Sequence, residues 1–368
     1  MSCRSDCPIS VSTNIPYILS RVRARLGLTT PASRRSTSGE GFLKKTFFIF
    51  ALCILLLATV LSIYFGPQSS TSERMRRREL AITFDDLPAP GGSVVSDDAA
   101  TLKEMTGRLL RSIRANNIPA VGFVNEEKLY KNGEFDPRVA ILQMWLDAGL
   151  ELGNHTFSHM DLQTTPLAAY QEDVIRGENI TAKLLHERGM KLRYFRHPYL
   201  HVGPNLATRR AFESFLTERG YTIAPVTISN EEYIFAAVYA RALARADRET
   251  GERVAKAYIS YMERLFEYFE KLSMDLLGYE VKQVLLLHAD ALNADYLNDL
   301  VRMLKRRGYT FITLDQALQD EAYRLPDNYT GERGLSWIYH WAFSQGKKMP
   351  RGPDVPTFVR RQYEVRSD

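Results

Sequence analysis

Cysteine is almost missing from this chain, and the three present, Cys3, Cys7 and Cys53, all precede or fall within its long apolar stretch. Nothing downstream can therefore form a disulfide or act through a thiol. Charge of one sign is also in short supply. The net charge is only +5, and the basic residues gather at the N-terminal end and around Arg74 to Arg78 instead of interleaving with aromatics. That argues against nucleic acid as a partner. No internal repeat is visible. What remains, a chain of 368 residues that is 45% hydrophobic, is enough to bury a sizeable core in one large domain or two ordinary ones.

Residues 1–45, rich in Ser, Thr and Arg, read as an N-terminal tail. Residues 46–65 then run for twenty positions without a charge, about the length that crosses a ~30 Å hydrocarbon core. They predict a single transmembrane anchor. A cleaved signal peptide is the rival, but the stretch is long for one and no small-x-small site follows Tyr64-Phe65-Gly66-Pro67. Near the stretch, Arg34, Arg35, Lys44 and Lys45 are matched by Arg74, Arg76, Arg77 and Arg78, so Arg21, Arg23 and Arg25 decide the orientation. They favour a cytoplasmic tail and a single-pass membrane protein whose catalytic domain lies on the extracytoplasmic side.

After a linker, 66–78, strand-like and helix-like segments alternate as in repeated β/α units with a parallel sheet. Strands are expected at 80–84, 120–124, 150–152, 193–195, 222–226, 284–287 and 310–314. Helices are expected at 97–116, 137–148, 167–188, 206–219 and 293–307. Seven strands over 79–320 predict an α/β fold, a distorted (β/α) barrel. Residues 231–277 form a mostly helical insertion, with Tyr258, Tyr261, Met262, Leu265, Phe266 and Phe269 as a core-facing stripe. A C-terminal extension, 321–368, carries Trp337, Tyr339 and Trp341, candidates for a lid or a sugar platform.

Polar clusters fall where strands stop: Asp85-Asp86 after the first, His155 and His159 after the third, Arg196 after the fourth and His288 after the sixth. In a β/α barrel those ends share one rim, where such folds place their active sites. A turn of helix would put His155 and His159 on one side, where neutral ring nitrogens can grip a divalent cation. Singly, each residue has a structural reading as well. Asp85 and Asp86 can cap a turn, His288 can be a satisfied core histidine, and Arg196 can sit in a structural ion pair. Their convergence on one rim favours the joint reading. His186 reads as solvated, and His197, His201 and His340 as further rim residues.

Thr-Phe-Asp-Asp, His-x-x-x-His, Arg-x-Pro-Tyr and Leu-Leu-His, in this order over about 80–318, resemble the polysaccharide deacetylases of carbohydrate esterase family four. The resemblance implies a distorted β/α barrel that removes acetyl groups from N-acetylated sugars with one divalent metal. It implies Asp86, His155 and His159 as metal ligands, Asp85 as catalytic base, Arg196 as the residue that steadies it, and His288 as catalytic acid. Tyr199 would lend a backbone N–H to the oxyanion, and Leu286 of the Leu-Leu-His motif would contact substrate. The residue types suit these duties. Two histidines and one carboxylate leave coordination positions open, and zinc, cobalt, nickel or iron all accept such ligands.

The chain departs from the family pattern in three places. Leu87 follows Asp86 where the family usually has Gly, and Leu200 follows Tyr199 where Gly is usual. The family's Asp-Trp pair, which orients the catalytic histidine, is replaced by Ser229-Asn230-Glu231-Glu232-Tyr233, with Glu232 and Tyr233 as the best substitutes. The expectation is a metal-dependent hydrolase acting on an acetylated glycan, peptidoglycan or a chitin-like oligosaccharide. A hydrolase of another amide or ester, and an inactive membrane-anchored glycan-binding protein, are the alternatives.

Overall fold

The computed structural model describes residues 78–365. The tail 1–45, the apolar stretch 46–65 and most of the linker lie outside the described residues, and so do the anchor and orientation expected of them. Among the described residues no helix is long and apolar enough to cross a membrane.

Seven parallel strands form at the seven apolar runs: β1 (Arg78–Leu87), β2 (Val121–Val124), β3 (Glu151–Asn154), β4 (Tyr194–Phe195), β5 (Thr222–Ile223), β6 (Gln283–His288) and β7 (Tyr309–Phe311). Leu80, Ala81, Ile82 and Phe84 of β1 are all buried, as a strand covered on both faces requires. Hydrogen bonding runs β5-β4-β3-β2-β1-β6, and the segment after β5 bridges to β6 through Ile228 and Leu285, which curls the sheet back on itself. β7 does not extend this order. It pairs with the start of β1, Arg78 to Leu80, while β2 takes the later part of the same strand, from Thr83. The barrel is distorted in this sense, with β1 as its spine.

Helices α1 (Ala99–Ala115), α2 (Phe135–Asp147), α3 (Leu167–Arg176), α4 (Asn179–His186), α5 (Leu206–Glu218), α6 (Glu232–Ala244), α7 (Arg248–Leu277), α8 (Ala291–Arg306), α9 (Leu314–Leu318), α10 (Trp337–Ser344) and α11 (Thr357–Glu364) complete the described chain. α1 turns Leu102, Met105, Leu109 and Ile113 to the core at helical spacing, and Asp98 caps its first turn through the Thr101 N–H at 2.9 Å.

Three expectations are corrected. The single helix expected at 167–188 is two, because a Cβ at Gly177 would lie 2.7 Å from the Thr156 backbone. The chain breaks there to pack against the histidine loop, and the buried Glu126 carboxylate accepts the N–H groups of Ile180 and Thr181 at the start of α4, where an anion is favoured. α8 begins at Ala291, two residues early, because Asp290 caps it. Trp337 and Trp341 form no lid: both are buried. The Trp337 N–H donates to the Val226 carbonyl at 2.7 Å and the Ser336 hydroxyl to that of Thr227 at 2.6 Å. The extension thus covers the irregular crossing between β5 and β6. The insertion is α6 and α7, and its expected stripe from Tyr258 to Phe269 is buried against the barrel.

Candidate active site

Neighbouring residues on a strand normally point to opposite faces, so Asp85 and Asp86 should not share a pocket. The β1–β2 register shifts between Phe84 and Leu87, and Asp86 takes a left-handed φ of 69°. Such an irregularity re-aims a side chain, and here it turns both carboxylates to the same rim: His155 Nε2 lies 3.9 Å from an oxygen of each. Leu87, which departs from the family's glycine, is buried in the core.

His155 and His159 do not sit on a helix. They lie in the loop after β3, where Thr156 and His159 adopt positive φ of 64° and 58°, conformations that need outside support. Asn154 Oδ1 accepts the Thr156 N–H at 2.7 Å, and Thr156 Oγ1 accepts that of His159 at 2.9 Å. Buried Asp173 of α3 accepts the Ser158 N–H at 3.0 Å and hydroxyl at 2.9 Å, and Asn125 Nδ2 donates to the His155 carbonyl at 2.5 Å. The polar Asn154, Thr156 and Ser158 are the residues the sequence offers for orienting the two imidazoles, and they act through the loop backbone and Asp173, whereas Asn125 and Asp173 carry no signal in the sequence.

The His155 Nδ1–H donates to the Arg196 carbonyl at 2.8 Å, which leaves Nε2 with its lone pair free. Burial, and then the second imidazole, hold the His155 pKa well below the usual histidine value; burial also lowers that of His159. Both are thus neutral and able to act as ligands. Asp86 Oδ1 is buried and accepts no hydrogen bond, and it lies 3.4 Å from His159 Nε2. One ligand atom from each of Asp86, His155 and His159 lies within 4.8 Å of the others. This donor set fits one divalent cation with positions left open. Burial alone would raise the Asp86 carboxyl, but Lys128, whose Nζ is 3.2 Å from Oδ1, together with the surrounding histidines holds it below the usual range. Lys128 is a neighbour the sequence did not suggest.

Arg196 is fully buried and every part of its head is used. Nη1 reaches both Asp85 oxygens at 3.2 Å, Nη2 the Thr83 hydroxyl at 3.0 Å and Nε the Ala224 carbonyl at 2.7 Å. Its guanidinium also lies 4.6 Å over the Phe123 ring. Burial raises the Asp85 carboxyl and outweighs the pull of Arg196 in the other direction. Asp85 therefore has more appetite for a proton than a surface aspartate.

His288 is the register partner of Asp85 on the next strand. Glu232, the first residue of α6, is fully buried and accepts the His288 Nδ1–H at 2.8 Å. Burial would lower the imidazole, but Glu232 pushes it the other way, up to about 9. His288 Nε2 faces inward, 4.0 Å from Asp86 Oδ2.

Of the expected contact residues, Tyr199 is 56% exposed and sets its ring edge-on to His159, centroids 4.5 Å apart. Leu286 shares a strand face with His288 and is partly buried. Tyr233 lies beside Glu232 but packs edge-on against Tyr363. His197 and His340 are buried in aromatic surroundings, His340 against the Asp327 carboxylate at 3.0 Å, so neither lines the rim. His201 is bonded to Asp161 at 2.8 Å, and His186 is exposed as expected.

Residues 72–213 match the family model described as polysaccharide deacetylase. The matched segment, less than half of the chain, carries Asp85, Asp86, His155, His159 and Arg196. It is 28% identical over 123 residues to the peptidoglycan-N-acetylglucosamine deacetylase of Bacillus cereus, a match spanning 33% of this chain and 37% of that protein. Among solved structures, the family 4 carbohydrate esterase from Streptomyces lividans aligns with a TM-score of 0.40 and 20% identity, over 65% of this chain and 95% of that one. A family pseudoenzyme from Bacillus anthracis aligns with a TM-score of 0.42 and 12% identity, over 66% of each chain.

Proposed function

We propose that this chain is a metal-dependent hydrolase that removes N-acetyl groups from N-acetylhexosamine units of a glycan, peptidoglycan or a chitin-like oligosaccharide. The observation that carries the reading is the convergence of a three-residue cation site with a buried carboxylate on one side and a histidine held by a buried glutamate on the other. Asp86, His155 and His159 would hold the cation, zinc or another ion that accepts imidazole and carboxylate. When bound, it would polarise the acetamide carbonyl and acidify a water.

The chain's own residues supply the rest. Asp85, raised by burial and fixed by Arg196, takes the proton as the water oxygen adds to the carbonyl carbon. The Tyr199 backbone N–H is the proposed donor to the oxyanion. His288, kept protonated by Glu232, gives its proton to the amine nitrogen as the C–N bond breaks, which leaves acetate and a free amine. With residues 46–65 as a single anchor, the site would face an extracytoplasmic glycan.

The test is acetate release by the full chain from N-acetylglucosamine oligomers and from peptidoglycan, with and without a chelator. Chelator-sensitive release is expected. Tight glycan binding with no acetate from any acetylated substrate would replace the enzyme with a binder, and release from unrelated amides or esters alone would change the substrate class.

A further inference from the structure

The bond between Glu232 and His288 joins two parts of the chain with separate origins. Glu232 comes from the insertion, while His288 ends β6. A buried carboxylate with a free rotamer would not hold that bond by itself, so something must fix it. Asn293, in the first turn of α8, is fully buried and occupies the space between them. Its Nδ2 donates to Glu232 Oε1, the oxygen that His288 Nδ1 does not use. The same amide donates to the His288 carbonyl at 3.0 Å, and the His288 N–H reaches Glu232 Oε1 at 3.3 Å.

The orientation of this amide is forced. A carboxylate oxygen and a carbonyl can only accept, so the NH2 end must face them and Oδ1 must face away. Oδ1 meets the hydroxyl of Tyr258, which donates at 3.0 Å from the middle of α7. Tyr258 is fully buried and its hydroxyl has this one task. The Asn293 N–H donates in turn to Asp290 Oδ1 at 2.8 Å, which fixes the first turn of α8. The insertion therefore contributes twice, with Glu232 from α6 and with Tyr258 from α7.

We infer that Asn293 is a positioning residue that locks Glu232 against His288, and that Tyr258 of the insertion seats it. The inference rests on the proposed role of His288 as acid, and it gives the insertion a part in the chemistry as well as in packing. Asp290 is a second hydrogen-bond partner of the Glu232 carboxylate, and Asp85 and Asp86 face His288, but Asn293 alone among these reaches both Glu232 and the His288 carbonyl.

The experiment uses the full chain with its metal content measured in every sample. Asn293→Ala should lower kcat by about 10- to 100-fold, the range typical when an orienting partner is lost, with KM and metal content unchanged. Tyr258→Phe, which removes one hydroxyl and keeps the packing, should lower kcat in the same way but less. If Asn293 acts through Glu232, the double variant Glu232→Gln/Asn293→Ala should be no slower than Glu232→Gln alone. Multiplying losses, a rise in KM at constant kcat, or an unchanged kcat in Tyr258→Phe would each overturn the inference. Crystal structures of Asn293→Ala and Tyr258→Phe decide the point without turnover. Glu232 should leave hydrogen-bonding reach of His288 Nδ1, beyond about 3.5 Å, and a bond retained in both variants would sink the positioning role. A wild-type protein that releases no acetate would sink only the proposed function.

Discussion

Asp85 and His288 illustrate what single side chains should do if the proposed chemistry is right. Each acts in the transition state and neither is needed to hold the cation, so their loss should appear in kcat. Asp85→Asn and His288→Ala should each lower acetate release by at least ~10² with metal content near wild type. Equal rates in both variants would refute the assignment. The pH profile follows from His288, whose imidazole is pushed up to about 9. A general acid works while protonated, so its contribution persists below that value and is lost as pH rises through it. The alkaline limb of kcat/KM should therefore lie near 9, and Glu232→Gln, which removes the charge that raises it, should move that limb toward lower pH. A limb that stays in place would return Glu232 to a structural role.

Lys128 makes the opposite kind of case, a residue that works against ligand binding. Its ammonium lies 3.2 Å from the Asp86 oxygen that faces both histidines, so an arriving cation meets a like charge. Lys128→Met should tighten divalent metal binding by roughly tenfold at low salt, with the gain shrinking as ionic strength rises. Titration calorimetry on both proteins at two salt concentrations checks this, and an equal or weaker affinity in the variant would show that Lys128 helps to hold the site together.

At the level of elements, the strands were legible because each is a short apolar run, and those that stop at a polar residue let the rim logic gather Asp85, His155, Arg196 and His288. The histidine spacing was misleading: four residues suggest a helical turn, but the loop reaches the same geometry through two left-handed residues held by Asn154, Thr156 and Asp173. Asn293 and Lys128 carried no signal, since a polar residue in a first helical turn or in a short 3-10 turn such as Glu126–Leu129 has many uses and its partners are distant in sequence. The Trp residues of the extension looked like a platform because aromatics at a chain end resemble one, yet Val226 and Thr227 leave carbonyls that α10 must satisfy. Gly334, in the loop before α10, ties this extension to the site. A Cβ there would fall 1.6 Å from the Tyr199 carbonyl oxygen, where Tyr199 itself holds a φ of 58°. Gly334→Ala should destabilise the fold by about 1–3 kcal/mol, as overpacking does, and should lower kcat/KM by displacing Tyr199. Denaturant unfolding beside acetate release measures both, and a variant unchanged in either would mean that the loop yields freely.

Across the whole molecule, the described residues all fall in the second of the two units into which the chain divides, residues 74–368. Every ligand, base, acid and positioning residue named above belongs to the second unit, which also holds the insertion and the extension. Residues 74–368 expressed without the preceding segment should therefore fold, bind about one divalent ion per chain and keep the activity of the full chain. Because metal binding favours the folded form, adding the ion should raise Tm, and a chelator should reverse the rise. The two histidines provide the control. His155→Ala and His159→Ala each remove one of three ligands, so each should lose the metal and the Tm gain together. His155 is buried and its Nδ1 also holds the Arg196 carbonyl, so its loss should additionally lower the Tm of the metal-free protein, whereas loss of the more exposed His159 should not. Full metal occupancy in either variant would refute the ligand set, and a truncated protein that neither folds nor binds the ion would show that the first 73 residues contribute to the domain.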